Sequence, residues 1–246
     1  MDIMKAPFEE RLKLWHGEDW HTPKGRLIRD IVYALDTGLV TTVSFIAGAS
    51  ASLISRERVI VAGLIQVVAG TLSIFFGAYV STKAQKYFFE SQIERERREI
   101  EEDPEREIRE VKEIFSDMGF TEEEQEIAVR RVTANKERWL EFMVQEEIGI
   151  NAAFIDSPFE IAFVSAVSFL VGAIPAIAPF FLVGTVGAAL SIAFVAVLIF
   201  LFAVGVYKSK FTKARWFSSG IETLTIGVLS CGTGFFLGKI IAGFSH

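Results

Sequence analysis

From Ile161 to Tyr207 the chain runs 47 residues without one charged side chain. About 20 helical residues cross a hydrocarbon core, so this run is long enough for two crossings and too long for one. Pro175 and Pro179 are the breakers inside it and predict the turn between the two helices. Two other stretches have spanning length: Ile31 to Ile54 holds a single charge, Asp36, and Val59 to Thr82 holds none. A last stretch from Trp216 to Phe244 is apolar between Glu222 and Lys239, with Trp216 and Phe217 placed where an aromatic belt would sit. The expected architecture is an all-α integral membrane protein with five transmembrane helices and its two termini on opposite sides. A composition 51% hydrophobic and 23% charged fits that class rather than a soluble domain.

Basic residues orient the spans. Lys24, Arg26 and Arg29 precede the first, and Lys208, Lys210, Lys213 and Arg215 join the fourth to the fifth, which marks those ends as cytoplasmic and puts the N-terminus inside. Residues 1–26 carry Phe8, Leu12, Leu14 and Trp15 among polar side chains and read as an amphipathic segment on the inner membrane surface, not as a signal peptide. One cysteine, Cys231, and three histidines leave no thiol framework and no His-rich metal cluster. No Ser/His, His/Glu or phosphate-loop constellation suggests an enzyme. The net charge of −6 argues against nucleic acid and makes a cation the better-matched partner.

The acidity is local. Between Lys83 and Ile150 stand 18 Glu and 2 Asp against 12 Lys and Arg, a net −8, so the rest of the chain is slightly basic. The chain therefore divides into residues 1–26, transmembrane helices one and two over 27–82, a Glu-rich cytoplasmic insert over 83–150, and helices three to five over 151–246. Nothing breaks the second helix at Thr82, so it is expected to run on to about Glu102. Asp103 and Pro104 then read as N-cap and first helical residue. Ile108, Val111, Ile114 and Phe115 form the apolar face of that helix and Gly119 ends it. Thr121 and Glu124 make a capping box for the next. A further helix from about Lys136 buries Trp139, Leu140, Phe142 and Met143 and stops at Gly149. Apolar residues at helical spacing make the insert a compact helical unit.

Carboxylates recur on these helices at three and four residues: Glu96 and Glu99, then Glu107, Glu110 and Glu113, then Glu146 and Glu147 beside Met143. Such spacing puts them on shared faces. A charged surface interleaved with Arg95, Arg97, Arg98, Arg106 and Arg109 accounts for the pattern. A site for a divalent ion does so too, with hard oxygen ligands suited to Fe²⁺ or Mn²⁺ and a thioether adding softness. The dense Glu/Arg/Lys pairing has the character of heat-adapted prokaryotes, with a prokaryotic plasma membrane as the expected location.

The stretches "DTGLVTTVSFIAG" from Asp36, "AGLIQVVAGTLSIFFGAYVS" from Ala62 and "WLEFMVQEEIGI" from Trp139, with a Glu-rich insert between spans two and three, resemble the vacuolar iron transporter family over nearly the whole chain. The resemblance implies a homodimer that moves Fe²⁺, in some members also Mn²⁺, out of the cytosol in exchange for protons, with the insert collecting metal below the pore. Carried over by position, it places metal ligands on Glu96, Glu99, Glu107, Glu110, Glu147 and Met143, with Glu113, Glu102 and Glu146 near enough to join.

The membrane half departs from the family pattern. Where the family reads "NDGLV", this chain has Asp36, Thr37, Gly38, Leu39, Val40, so the acidic residue is displaced by one position and turned about 100° around the helix. Gln66, Ile74 and Ala78 stand where transporting members tend to carry an acid, a methionine and another acid. Asp36 is still the one formal charge well inside a span, and such a carboxylate is a functional candidate by default. Its structural alternative is a hydrogen-bonded Asp against Thr37, Thr41 or Gln66. Asp36, Thr37, Gln66 and Ser73 form the expected transport pathway. Gly63, Gly70 and Gly77, and likewise Gly220, Gly227 and Gly234, recur every seven residues and are expected as packing stripes. Besides iron export, two functions fit: a membrane-anchored metal-binding or sensing protein without conduction, and a transporter of another cation.

Overall fold

The computed structural model describes residues 25–52, 55–149, 156–212 and 215–244. The amphipathic segment expected over residues 1–26 therefore lies almost wholly outside the described residues. Among the described residues eight helices follow one another: α1 (Gly25–Ser52), α2 (Arg56–Glu102), α3 (Pro104–Asp117), α4 (Glu122–Thr133), α5 (Lys136–Glu146), α6 (Pro158–Leu182), α7 (Val186–Thr212) and α8 (Trp216–Phe244). Among the described residues there is no strand. Among the described residues four helices are long and apolar enough to cross a membrane, within α1, α2, α6 and α7.

α6 is the centre of the apolar bundle. Ala162, Phe169, Ala173, Ala176 and Phe180 are buried along its length, and it packs against α1, α2 and α7. Its contact with α1 is made backbone to backbone. A β-carbon on Gly38 would strike the carbonyl of Phe169, and one on Gly172 would strike the carbonyl of Leu35. Only glycine allows two helices to approach that closely. The seven-residue stripes pack in part. Gly63 faces Ile177 and Ile46, Gly70 the Phe169 ring, Gly220 the Phe202 ring, Gly227 the Leu201 side chain and Gly234 the Ser44 backbone, whereas Gly77 has nothing within 4 Å.

Pro175 and Pro179 do not mark the turn between the third and fourth spans. Both lie inside α6, which continues to Leu182, and the break falls at Val183, whose backbone is extended (φ −117°, ψ 137°). Two prolines four residues apart cost the helix the bonds from their missing N–H groups. Both are buried within the packed face of α6, and that packing holds the helix through them. The Arg56 guanidinium, at the start of α2, donates to the Val183 carbonyl at 3.1 Å and closes that end of the bundle.

α2 is one helix of 47 residues, about 70 Å long at 1.5 Å per residue, more than twice the hydrocarbon thickness. It is buried along a narrow stripe of Val59, Gly63 and Val67 in its apolar half, then again at Glu96 and Ile100. The charged half runs on into α3, α4 and α5. These meet in a second core of Ile100, Val111, Phe115, Trp139 and Met143, where the rings of Phe115 and Phe142 stack at 5.1 Å. Ile108, expected on the apolar face of α3, is exposed, because the stripe of α3 runs through Glu107, Val111 and Phe115 and Ile108 lies 100° to one side.

The local signals of the insert hold. Asp103 caps the C-terminus of α2 and, through its side chain, accepts from the Arg106 N–H at the start of α3. Glu124 accepts from the Thr121 N–H at 2.8 Å in the capping box. Gly119 and Gly149 take φ of +89° and +71°, the left-handed region that favours glycine after a helix.

Candidate metal site and membrane cavities

Each of three buried stripes in the second core ends in a glutamate. Glu96 precedes Ile100 by four residues on α2, Glu107 precedes Val111 by four on α3, and Glu147 follows Met143 by four at the C-cap of α5. The helical period that draws the apolar residues inward carries Glu96 and Glu107 with them, while Glu147 stays exposed at the edge of the cluster. Ligand oxygens of Glu96, Glu107 and Glu147 consequently lie within 4.8 Å of one another. Glu96 and Glu107 are 1% and 2% exposed, and Glu96 Oε1 and Glu107 Oε2 have no hydrogen-bond partner. Buried, unsatisfied carboxylate oxygens are costly and need a proton or a cation.

Burial, followed by the charges of Glu147, Glu107 and Glu99, pushes the Glu96 carboxyl up to about 8. Glu107 is raised by burial and then by Glu110, Glu147 and Glu99. Glu147 is raised by burial, Glu110 and Glu99, against the opposing pull of Arg95 and Arg106. Near neutral pH the cluster keeps a proton on Glu96, which donates to Glu107. A divalent cation is the natural replacement for that proton, since hard oxygen donors suit Fe²⁺ and Mn²⁺.

The other residues expected at this site are placed differently. Glu99 and Glu110 are close enough for their charges to act on the cluster, but each is engaged by an arginine, Arg95 at 3.7 Å and Arg106 at 2.9 Å. Met143 is fully buried in the second core, one turn before Glu147. Glu113 is exposed and outside the cluster. Glu102 and Glu146 are exposed as well.

In the membrane half two cavities flank α2. A groove of about 530 Å³ is lined by Phe45, Ile65, Gln66, Gly70 and Ser73, and it is apolar apart from Gln66 and Ser73. Gln66 Oε1 is buried without a hydrogen bond. A second cavity of about 400 Å³ lies toward the charged half of α2 and is lined by Asp30, Tyr33, Ser73, Thr82, Gln85 and Asp156, among others. Ser73 borders both. Asp36 and Thr37 line neither. Thr37 Oγ1 donates to the Tyr33 carbonyl at 2.7 Å, and Asp36 is half-buried with Oδ1 lacking a hydrogen bond. Ile74 and Ala78 line the second cavity with apolar side chains. Sequence reasoning missed Asp30 and Asp156. Asp30 is an acid at the polar end of a span beside Arg29, one of the basic residues used for orientation, and Asp156 is an acid two residues before Pro158 at the start of α6.

The model of the VIT family matches residues 28–239. A vacuolar iron transporter 1 of Arabidopsis thaliana is 29% identical over 233 residues, 95% of this chain and 93% of that protein. A vacuolar iron transporter 2 of Oryza sativa is 30% identical, with 95% of each chain covered, and a vacuolar iron transporter of Plasmodium falciparum is 28% identical, with 92% and 86% covered. These similarities run through both the apolar bundle and the glutamate cluster, and with a family match over most of its length the chain belongs to the VIT family.

Proposed function

We propose that the protein exports Fe²⁺, with Mn²⁺ as a second cargo, from the cytosol across a bilayer in exchange for protons. In this reading α1, the apolar half of α2, α6, α7 and α8 are five membrane spans. The protein works as a homodimer, and the charged half of α2 with α3 to α5 faces the cytosol as the metal-collecting unit. The observation that carries it is the Glu96, Glu107 and Glu147 cluster, two of whose buried oxygens lack partners, at the far end of the helix whose other half lines both membrane cavities. The family relationship supplies iron as the cargo. The relatives named above are vacuolar proteins of plants and a protozoan, so they lend no support to a prokaryotic plasma membrane.

A second reading, a membrane-anchored metal-binding or sensing protein without conduction, is favoured by one observation. Asp36 and Thr37 line neither cavity, and Gln66, Ile74 and Ala78 give the cavities few strong ligands. Fe²⁺ and Mn²⁺ flux into proteoliposomes under an imposed pH gradient separates the two. Wild-type flux that is lost in Asp36→Asn, above an empty-vesicle control, supports transport. Metal bound by folded wild type with no flux supports the second reading.

A further inference from the structure

The charge-free run of α2 ends at Thr82, and the first charge after it, Lys83, is bracketed by two tyrosines. Its Nζ lies 5.6 Å from the centre of the Tyr79 ring, one turn before it, and 5.5 Å from that of Tyr87, one turn after it. Both distances are within cation–π range. Lys86 is paired with Glu90 at 3.7 Å, whereas Lys83 has no carboxylate partner among the described residues. An ammonium held by rings alone keeps its charge for an anion.

This stripe points away from everything α2 packs against. Lys83 follows Gly63 by twenty residues and precedes Glu96 by thirteen, which sets it about 160° and 140° around the helix from them. Gly63 lies in the stripe buried against the apolar bundle and Glu96 in the one buried in the second core. Ser81, on the polar cavity, is about 160° from Lys83 as well. On the outward face Leu72 and Phe76 precede Lys83 by eleven and seven residues, within about 20° of it, and both are exposed. An exposed apolar stripe that ends in Tyr, Lys and Tyr has the order of a bilayer: acyl chains first, then headgroups, with the lysine stem reaching outward. The length agrees, since Val59 to Thr82 covers about 36 Å at 1.5 Å per residue, slightly more than the hydrocarbon core. The same end of the bundle repeats the pattern. Lys210 lies over the Tyr207 ring at 6.0 Å where α7 leaves its own charge-free run, and Trp216 and Phe217 open α8 exposed.

We propose that Tyr79, Lys83 and Tyr87 form a headgroup site for an anionic phospholipid in the leaflet where α2 leaves the bilayer, with Lys83 on the phosphate and an acyl chain along Phe76 and Leu72. A zwitterionic lipid offers the same phosphate together with its own ammonium, which competes with Lys83, so the net-anionic headgroup is preferred. The site fixes the depth of α2 and thereby holds Glu96, thirteen residues on, about 20 Å from the headgroups. This rests on the reading of α2 as a membrane span and not on the transport of any ion.

The test titrates the purified full chain, in detergent and without metal, with phosphatidylglycerol, phosphatidylcholine or water-soluble glycerol 3-phosphate, and counts bound molecules by native mass spectrometry. The variants are Lys83→Met, which keeps the stem and removes the charge, Lys83→Arg, and Lys112→Met, which removes an exposed charge from α3. Wild type should bind phosphatidylglycerol at least fivefold tighter than phosphatidylcholine. Lys83→Met should lose about that factor, the worth of one basic residue at an anionic surface, with its melting in lipid-free detergent unchanged. Lys83→Arg and Lys112→Met should keep the wild-type affinity. Should Lys83→Met not fold, Lys83→Gln takes its place. Equal phosphatidylglycerol affinity in wild type and the folded neutral variant would overturn the proposal. Glycerol 3-phosphate bound as tightly as the lipid would make this a site for free phosphate and overturn the lipid assignment. A loss of dimer mass in Lys83→Met with lipid retained would give the face to a second copy of the chain. Carbonate extraction of expressing membranes reads the span separately: release of the chain would end the span reading, and the headgroup site with it.

Discussion

Glu96 and Glu107 face each other from two helices that share a single capping residue. Asp103 closes α2 and opens α3, so a one-residue turn folds the chain back. Glu96, seven residues before it, and Glu107, four after it, then become neighbours with one proton between them. The Asp-Pro pair at the turn is therefore part of the site although neither residue contributes a ligand.

Replacing both acids tests the site. Glu96→Gln with Glu107→Gln should reduce Mn²⁺ or Fe²⁺ binding to the full chain by at least tenfold, roughly what the loss of two charged ligands implies. The helix content should not change, because the second core of Ile100, Val111, Phe115, Trp139 and Met143 is untouched. Calorimetric titration with circular dichroism on the same samples checks both halves, and unchanged affinity would remove the cluster from metal capture.

The raised carboxyl of Glu96 fixes a pH dependence. Its folded value of about 8 lies above the ordinary 4.5, so the metal-free fold binds the extra proton between those values. The stability it contributes is complete below pH 4.5 and is lost as pH rises through 8. Metal must displace that proton, so affinity should rise by up to about tenfold per pH unit from pH 6 to 8 and level off above. In the single variant Glu96→Gln, metal-free melting should fall less between pH 7 and 9 than in wild type. Equal losses in the two proteins would mean that Glu96 ionises normally.

The insert was legible in the sequence because its signals are local. Asp103 and Pro104, Thr121 with Glu124, and the glycines at 119 and 149 each act within one turn of themselves, and all appear where spacing put them. Pro175 and Pro179 misled for the opposite reason. Whether a proline ends a helix depends on what packs around it, and here both are buried against neighbouring helices. The close approach at Gly38 and Gly172 was invisible because neither belongs to a seven-residue stripe and nothing local says that α1 meets α6. Of the glutamates, spacing gave the shared faces. It did not single out Glu96, Glu107 and Glu147, which are selected by lying four residues from Ile100, Val111 and Met143 in three separate helices.

The backbone contact between α1 and α6 predicts a sharp contrast among glycines. Gly172→Ala and Gly38→Ala each push a methyl against a carbonyl that cannot rotate away, so each should cost about 1–3 kcal/mol by overpacking. Gly232→Ala meets nothing within 4 Å and should be neutral or slightly stabilising, by up to about 1 kcal/mol of helix propensity. Thermal melting of the three variants in one detergent checks the order, and equal melting temperatures would contradict the close approach.

Ser73 offers the most direct test of where an ion travels. It borders both the apolar groove and the polar cavity and is exposed within them, so a larger side chain there meets little packing resistance. Ser73→Leu should leave melting within about 0.5 kcal/mol of wild type, as for other exposed substitutions. If cargo passes along this face of α2, the same change places an apolar plug across the junction and should cut Fe²⁺ flux at least tenfold, about 1.4 kcal/mol of added barrier. Ser73→Ala, which removes one hydroxyl and adds no bulk, should keep most of the flux. Full flux through Ser73→Leu would move the route off this face of α2.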